Sequence, residues 1–393
     1  MSQKVITRLC WIIPGILFLV FYFYFFTLNR FHLLYLEQTQ LFCFTRTYFE
    51  SFISSPGQFI FYLGEFLTQF FVYPAIGAGI LTLSGIVVFL LCAWILKRFK
   101  TGAWVFALVP VMLIAALQSN HLYKVGLTIG FILALCFGAC YLLIRSPWAR
   151  LIVGAVALPV LYHLAGAFAL WAALLAVLSE LFYFNAKARW IHSAILIVVC
   201  LAFPFLAWKF MYIMPWQEVW INPFPFRGVS RMPLFAALLI GFPFIVVVLS
   251  LYRQFRKQER LLVPWNYKSI LASGVLLIGG GVWIKTKAYD PTIEVFLGMD
   301  HYVQTEDWKK VIELSKEYPE MNQLVVYYTN LAVYKTGQMA NRMFDFPQMG
   351  VGGLQLQWAR DEVTPFFGGE VFYHLNYINE AYRWAFESMV AKG

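Results

Sequence analysis

The first 289 residues of this chain contain no aspartate and only six glutamates, whereas the other 14 acidic residues lie between Asp290 and Glu387. Charge is scarce overall, since 13% of the residues are charged and 61% are hydrophobic. Soluble domains contain about 25% charged and about 45–50% apolar residues. The composition therefore excludes an ordinary soluble protein and predicts an apolar membrane part followed by a polar tail.

Disulfide and metal-ligand patterns are also missing. The six cysteines are scattered, and Cys136 and Cys140, four residues apart on a predicted helix, are typical of small packing residues. A glycine-rich stretch at residues 350–353 lacks the preceding strand and the Lys-Ser/Thr pair of a phosphate-binding loop. We therefore expect no disulfide framework, no metal site and no cofactor.

Nine apolar stretches are candidate membrane spans, because about 20 helical residues cross the hydrocarbon layer of a bilayer. They cover residues 9–28, 75–96, 103–119, 125–144, 151–163, 166–184, 191–208, 234–252 and 269–284. The predicted fold class is all-α. It combines a polytopic membrane helix bundle of about nine spans in residues 1–285 with a soluble helical-hairpin domain in residues 286–393.

The basic residues predict the orientation in the membrane. They carry the net charge of +10 and cluster in short loops at residues 97–100, 145–150, 187–189 and 253–260. Such loops lie on the cytoplasmic side of bacterial membranes. We therefore expect an inner-membrane protein with a cytoplasmic N-terminus, two long outer loops at residues 29–65 and 209–233, and a periplasmic tail. Membrane lipids are the expected partners, and nucleic acid is not.

The first outer loop contains a predicted helix that begins with Ser55 as its N-cap and Pro56 at its first position. Its polar residues recur at helical spacing on an otherwise aromatic surface, and they are Gln58, Tyr62, Glu65 and Gln69. Two interpretations are open. The stripe faces headgroups and water, as in an interfacial helix, or Glu65 and Gln69 face a substrate groove.

Ionisable residues near apolar spans are candidate functional residues, because a charge in the bilayer is costly. His121 and Lys124 occupy an outer turn, where they are either ordinary hairpin residues or substrate ligands. His163 lies in an apolar stretch that the sequence predicts to be a broken or re-entrant helix. Its side chain either donates a hydrogen bond between packed helices or binds substrate. Glu180 lies one turn from the basic residues Lys187 and Arg189, so we expect it to extend to the cytoplasmic surface and to have a structural role.

Two further sets of charged residues stand in the predicted outer loops. Arg227 and Arg231 are spaced to bind the phosphates of a lipid carrier, or else they meet ordinary headgroups. Glu37 is the acidic residue nearest the end of the first span, and it has no obvious basic partner in the sequence.

The polar tail has the pattern of helical hairpins, and residues 330–337 resemble the first helix of a tetratricopeptide repeat. Its predicted buried residues are Trp308, Leu331, Ala332 and Tyr334. No polar capping helix follows the last predicted helix at residues 370–390, so we expect the repeat array to continue in a longer protein. Such repeats bind protein partners.

The order of an anchor span, a long outer loop with an acidic residue, many spans and an outer domain resembles the GT-C superfamily of lipid-linked glycosyltransferases. Residues 66–71 and 330–337 are similar to an uncharacterised family of bacterial membrane proteins with tetratricopeptide tails. The GT-C resemblance implies a polyprenyl-phosphate carrier and a catalytic carboxylate in the first outer loop, here Glu37 with Glu65 behind it. Because the membrane half has no aspartate, Glu50 and Glu218 are the other candidate bases.

Three functions remain open from the sequence. The first is a GT-C-like transferase that acts on lipid-linked sugars at the outer face of the membrane. The second is a membrane-anchored scaffold that recruits proteins through its helical repeats. The third is a transporter, which the predicted break near His163 favours.

Overall fold

The computed structural model describes residues 12, 15–99, 104–184, 188–224, 232–255, 267–318, 322–353 and 364–392. In these ranges all regular elements are helices, which confirms the all-α class. The chain divides into two compact units. The first comprises Met1–Thr27 and Leu36–Tyr289, and the second comprises Leu28–Tyr35 and Asp290–Gly393. The second unit thus includes a short N-terminal segment as well as the polar tail.

The first thirteen helices are α1 Gly15–Leu28, α2 Arg30–Thr39, α3 Arg46–Ile53, α4 Phe59–Thr68, α5 Pro74–Arg98, α6 Leu108–Gln118, α7 Val125–Leu143, α8 Pro147–Ala165, α9 Phe168–Ser179, α10 Arg189–Phe210, α11 Trp216–Ile221, α12 Met232–Phe255 and α13 Tyr267–Trp283. The helices after residue 290 are α14 Pro291–Gln304, α15 Trp308–Ser315, α16 Gln323–Lys335, α17 Met339–Arg342, α18 Thr364–His374 and α19 Ile378–Lys392. Several junctions carry a 3₁₀ or π turn, such as Gln69–Val72 after α4 and Glu180–Phe184 after α9.

Five helices of the described residues are long and apolar enough to cross a membrane, and they are α5, α7, α8, α10 and the segment Leu234–Tyr252 of α12. The count becomes six if α1 and α2, which meet at an angle of 74°, form one bent span. The predicted number of nine is therefore too high. Hydropathy counts apolar residues, but the helices Trp104–Gln118 and Phe168–Phe184 are only about 22–26 Å long, short of a hydrocarbon layer of about 30 Å.

Helix α4 begins later than the sequence predicts. Its first residue is Phe59, and Gln58 rather than Ser55 is its N-cap residue. The reason lies at Gly57, whose φ of +76° is left-handed and interrupts a right-handed helix. The sequence also predicts that this helix runs to the breaker Pro74, whereas α4 ends at Thr68 and Pro74 occupies the first turn of the next helix, α5.

Helix α4 packs directly against α7, one of the candidate membrane spans. A Cβ atom added to Gly64 would lie 2.6 Å from the backbone nitrogen of Gly126, so the two backbones touch. Ile60, Gly64 and Thr68, spaced four residues apart, form the buried face of α4. The interfacial interpretation of this helix is thus incomplete, because one of its faces belongs to the helix bundle.

The second unit has its own hydrophobic core of helical residues. Leu331 and Ala332 are buried in it as predicted, and Trp308 packs against it partly buried. The prediction for Tyr334 is wrong, since this side chain is 64% exposed. Helix α16 is followed by α17, which has only four residues, so the tail is helical but does not show the paired long helices of a tetratricopeptide repeat.

Candidate functional site

The two long loops that the sequence places outside the membrane meet at one end of the first unit. The backbone N–H of Gly57 donates to the carbonyl of His163 at 3.0 Å, and the N–H of Ala167 donates to the carbonyl of Asn222 at 2.8 Å. A Cβ atom on Gly57 would lie 2.9 Å from the Cα atom of Gly166. Only glycine at these two positions permits so close an approach.

The side chain of Asn222 joins the same two loops. Its Nδ2 atom donates to the carbonyl of Pro56 at 2.9 Å, and its Oδ1 atom accepts from Nε2 of Gln58 at 3.1 Å. The hydroxyl of Tyr162 donates to the carbonyl of Val219 at 2.6 Å, which ties the second loop to the end of α8. These hydrogen bonds hold both loops in one defined arrangement.

A pocket of about 800 Å³ lies between the two loops. Its polar lining consists of Ser51, Ser55, Gln58, Gln217, Glu218 and Asn222. Phe52 and Phe224 contribute aromatic surface from either loop. Among the described lining residues Glu218 is the one charged side chain. An apolar pocket with a few convergent polar groups is the usual form of a small-molecule site.

The two predicted residues of the α4 stripe lie outside this pocket lining. The carboxylate of Glu65 accepts a hydrogen bond from the hydroxyl of Tyr48, on α3. Burial raises the pKa of Glu65, while the Tyr48 hydrogen bond and the positive charge of Lys124 act in the opposite direction. Gln69 turns its amide back to the carbonyl of Phe66, at 2.8 Å. Glu65 therefore braces α3 against α4, and Gln69 satisfies its own helix end.

The other described candidates are also absent from the pocket lining. Glu37 is half-buried on α2. His121 lies in the turn before α7, and Lys124 is exposed with its Nζ atom 5.3 Å from the ring centre of Phe61. The Nδ1 atom of His163 lies 2.6 Å from the hydroxyl of Tyr212, so its side chain joins α8 to the residues after α10.

Two candidate residues have no described position. Arg227 and Arg231 lie outside the described residues, in the segment that follows the pocket residue Phe224. Their predicted contact with a phosphate group therefore stays a prediction.

A buried ion pair in the first unit was missed by the sequence analysis. The Nε atom of Arg150 lies 2.6 Å from Oε1 of Glu180, and both side chains are almost fully buried. The hydroxyl of Tyr141 donates to the same oxygen at 2.9 Å, and the guanidinium stacks 3.5 Å from the ring centre of Phe184. The Nδ1 atom of His192 lies 3.8 Å from Oε2 of Glu180.

The expectation that Glu180 reaches the cytoplasmic surface is therefore wrong. A lone carboxylate at the end of a span is expected to extend to water. Here a guanidinium from another helix neutralises the carboxylate and donates hydrogen bonds to it inside the protein. The one sequence signal was a second basic residue, Arg150, in the loop assigned to the same side of the membrane.

Comparisons with known proteins give one match. No curated protein and no solved structure matches the chain, and no glycosyltransferase family model does so. The model of a family described as a family of unknown function (DUF6057) matches residues 4–393. The resemblance to an uncharacterised family is thereby confirmed at that level, and the chain belongs to the DUF6057 family.

Proposed function

We propose that this protein is a membrane transferase that acts on lipid-linked sugars, with the pocket between its two long loops as the sugar site. The observation that carries the proposal is the lining of that pocket, in which hydroxyl, amide and carboxylate groups converge beside two phenylalanine rings. Sugars present many hydroxyl groups on an apolar ring skeleton, so hydrogen-bonding and aromatic surfaces together suit them. The GT-C resemblance, which is one of topology, points to the same reaction class.

The proposed chemistry uses Glu218 as the general base. An acceptor hydroxyl attacks the anomeric carbon of the carried sugar, and its proton passes to the Glu218 carboxylate. The bond from the anomeric carbon to the phosphate oxygen breaks, so polyprenyl phosphate leaves. Arg227 follows Phe224 by three residues and, with Arg231, is proposed to bind this phosphate. The proposal thus moves the base from Glu37 and Glu65 to Glu218, which lines the pocket.

The proposed location is the inner membrane of a bacterium, with the pocket and the second unit on the periplasmic side. The distribution of lysine and arginine along the chain supports this orientation, which requires the short apolar helices Trp104–Gln118 and Phe168–Phe184 to cross as well, so that the basic loops share one side. Polyprenyl-linked sugars and the acceptor would then meet on the side of the membrane where the envelope is built.

The test replaces Glu218 by glutamine in the chromosome of the source organism. Glu218→Gln keeps the shape of an exposed side chain but removes the base, so lipid-linked saccharides should accumulate while protein abundance stays constant. The matched control is Glu50→Gln, an exposed carboxylate of the same outer region that pairs with Arg46 and does not line the pocket. Mass spectrometry of extracted lipids is the readout. A lipid profile that is unchanged in Glu218→Gln would rule out this base.

A second function, the membrane-anchored scaffold, is favoured by one observation in the second unit. Helix α19 exposes Ile378, Tyr382 and Phe386, spaced four residues apart, at 55%, 72% and 50%. Such an apolar stripe on a tetratricopeptide-like helix is suited to a protein partner. The double variant Tyr382→Ser, Phe386→Ser in the full chain separates the two functions. It should leave the lipid profile unchanged if the protein is a transferase, and reproduce the deletion phenotype if it is a scaffold.

A further inference from the structure

Some hydrogen-bonding groups of the pocket are engaged within the protein. Gln58 donates one of its two amide hydrogens to Oδ1 of Asn222. Asn222 in turn donates one of its own two amide hydrogens to the carbonyl of Pro56. The hydroxyl of Ser51 donates to the carbonyl of Tyr48 at 2.6 Å. These groups can therefore both donate to a ligand and accept from it, because each amide keeps a second N–H and the amide and hydroxyl oxygens each have a further lone pair.

The described lining of the pocket carries a negative charge. Glu218 is a carboxylate on the exposed face of α11, and the lining described by the structure includes no lysine, arginine or histidine. An ionised phosphate placed against Glu218 would face a like charge. A ligand that carries hydroxyl or ammonium donors meets complementary acceptors instead.

The aromatic surface adds a shape requirement. Phe52 and Phe224 line the pocket from the first and the second loop, and both are half-buried. A small linear amine would leave these rings in contact with water, whereas a sugar ring covers them with its C–H groups.

We propose, on the basis of the transferase function, that this pocket binds the unphosphorylated sugar end of a substrate. It prefers a ring that bears hydroxyl groups and an amine, and it discriminates against a sugar phosphate. Glu218 is the specificity-determining residue. The phosphate of the carrier is bound outside this pocket.

The experiment measures binding of four probes to the full-length protein in lipid nanodiscs, by saturation-transfer NMR titration. The probes are glucose, glucosamine, glucose 6-phosphate and ethanolamine. Because Glu218 is exposed, its pairing with an ammonium group is weak, and glucosamine should bind about fivefold more tightly than glucose. Glucose 6-phosphate and ethanolamine should both bind more weakly than glucose.

Two substitutions then test whether Glu218 causes the preference for glucosamine. In Glu218→Gln, glucosamine should bind no more tightly than glucose, and the difference in affinity between glucose and glucose 6-phosphate should become smaller. Glu50→Gln should change neither affinity difference. The proposal is overturned if glucose 6-phosphate binds as tightly as glucosamine, if ethanolamine matches glucosamine, or if none of the probes binds.

The two proposals fail in different ways. If the four probes rank as expected but Glu218→Gln leaves the lipid-linked saccharides unchanged, the pocket specificity stands and the transferase function falls. If Glu218→Gln alters those saccharides but glucose 6-phosphate binds as well as glucose, the transferase function stands and the pocket specificity falls.

Discussion

The carboxylate of Glu294 accepts a hydrogen bond of 2.7 Å from the backbone N–H of Phe31, which precedes it by 263 residues. Its second oxygen accepts from the N–H of His32 at 3.2 Å. These donors lie in the first turn of α2, where backbone N–H groups have no partner within the helix and the helix dipole favours an anion. Glu294 thus caps α2 from α14, and this explains why residues 28–35 belong to the second unit.

The stability of this unit should decrease between about pH 4 and pH 7. Burial raises the pKa of Glu294 to about 7, against two backbone hydrogen bonds that lower it, and burial likewise raises the pKa of Asp300 to about 7. The unfolded carboxyl groups titrate near pH 4. Between these values the folded unit retains protons that the unfolded chain releases, so the free energy of unfolding falls as pH rises. For Glu294 the change is on the order of 3 kcal/mol.

Hydrogen exchange of the full chain, read by mass spectrometry on peptides from α2 and α14, measures this effect. Protection should be higher at pH 5 than at pH 8 after correction for intrinsic exchange. Glu294→Gln should reduce the difference, and Glu313→Gln, an exposed carboxylate of α15, should preserve it. Equal protection at both pH values would contradict the prediction.

Breaking the Arg150–Glu180 pair should strongly lower the free energy of unfolding of the first unit. Arg150→Met or Glu180→Leu leaves one buried charge without its partner, which costs about 3–5 kcal/mol. The double variant should be less damaging than either single change, because it removes both charges together. Thermal unfolding in detergent measures the effect, with Arg46→Ala as the control, since that exposed pair contributes about 1 kcal/mol or less. Single variants that melt like the wild type would show that the pair is not needed for stability.

Gly166→Ala should disorder the pocket. The φ of Gly166 is +57°, and an added Cβ atom would lie 2.3 Å from the carbonyl oxygen of Asn222. Strain of this kind costs about 1–3 kcal/mol. The loop at residues 211–224 should therefore become more sensitive to limited proteolysis, whereas Gly79→Ala, with no atom within 4 Å of the added Cβ, should not change it. An identical cleavage pattern in both variants would contradict the role of Gly166.

Reporter fusions test the proposed orientation. A reporter that is active in the periplasm should be active when fused after Asp290 and silent when fused after Lys257, because basic loops stay in the cytoplasm. Cys43 should react with a membrane-impermeant thiol reagent in intact spheroplasts. The reverse reporter pattern would place the pocket on the cytoplasmic side.

The local pattern of the sequence was sufficient for the helical class and for the change of composition near Asp290. Apolar runs and helical spacing act over a few residues, so they can be recognised without a structure. The same information was insufficient for the number of spans, because apolar character alone does not show that the helices Trp104–Gln118 and Phe168–Phe184 are shorter than the hydrocarbon layer.

The contacts of the candidate site depend on tertiary structure. Gln58 and Asn222 are 164 residues apart, and Arg150 and Glu180 are 30 apart. The sequence leaves four candidate general bases in the two predicted outer loops, namely Glu37, Glu50, Glu65 and Glu218. Folding brings Glu218 into the pocket lining and pairs Glu65 with Tyr48. Composition and periodicity determine which segments become helices, whereas the close approach of Gly57 to Gly166 decides which side chains share a pocket.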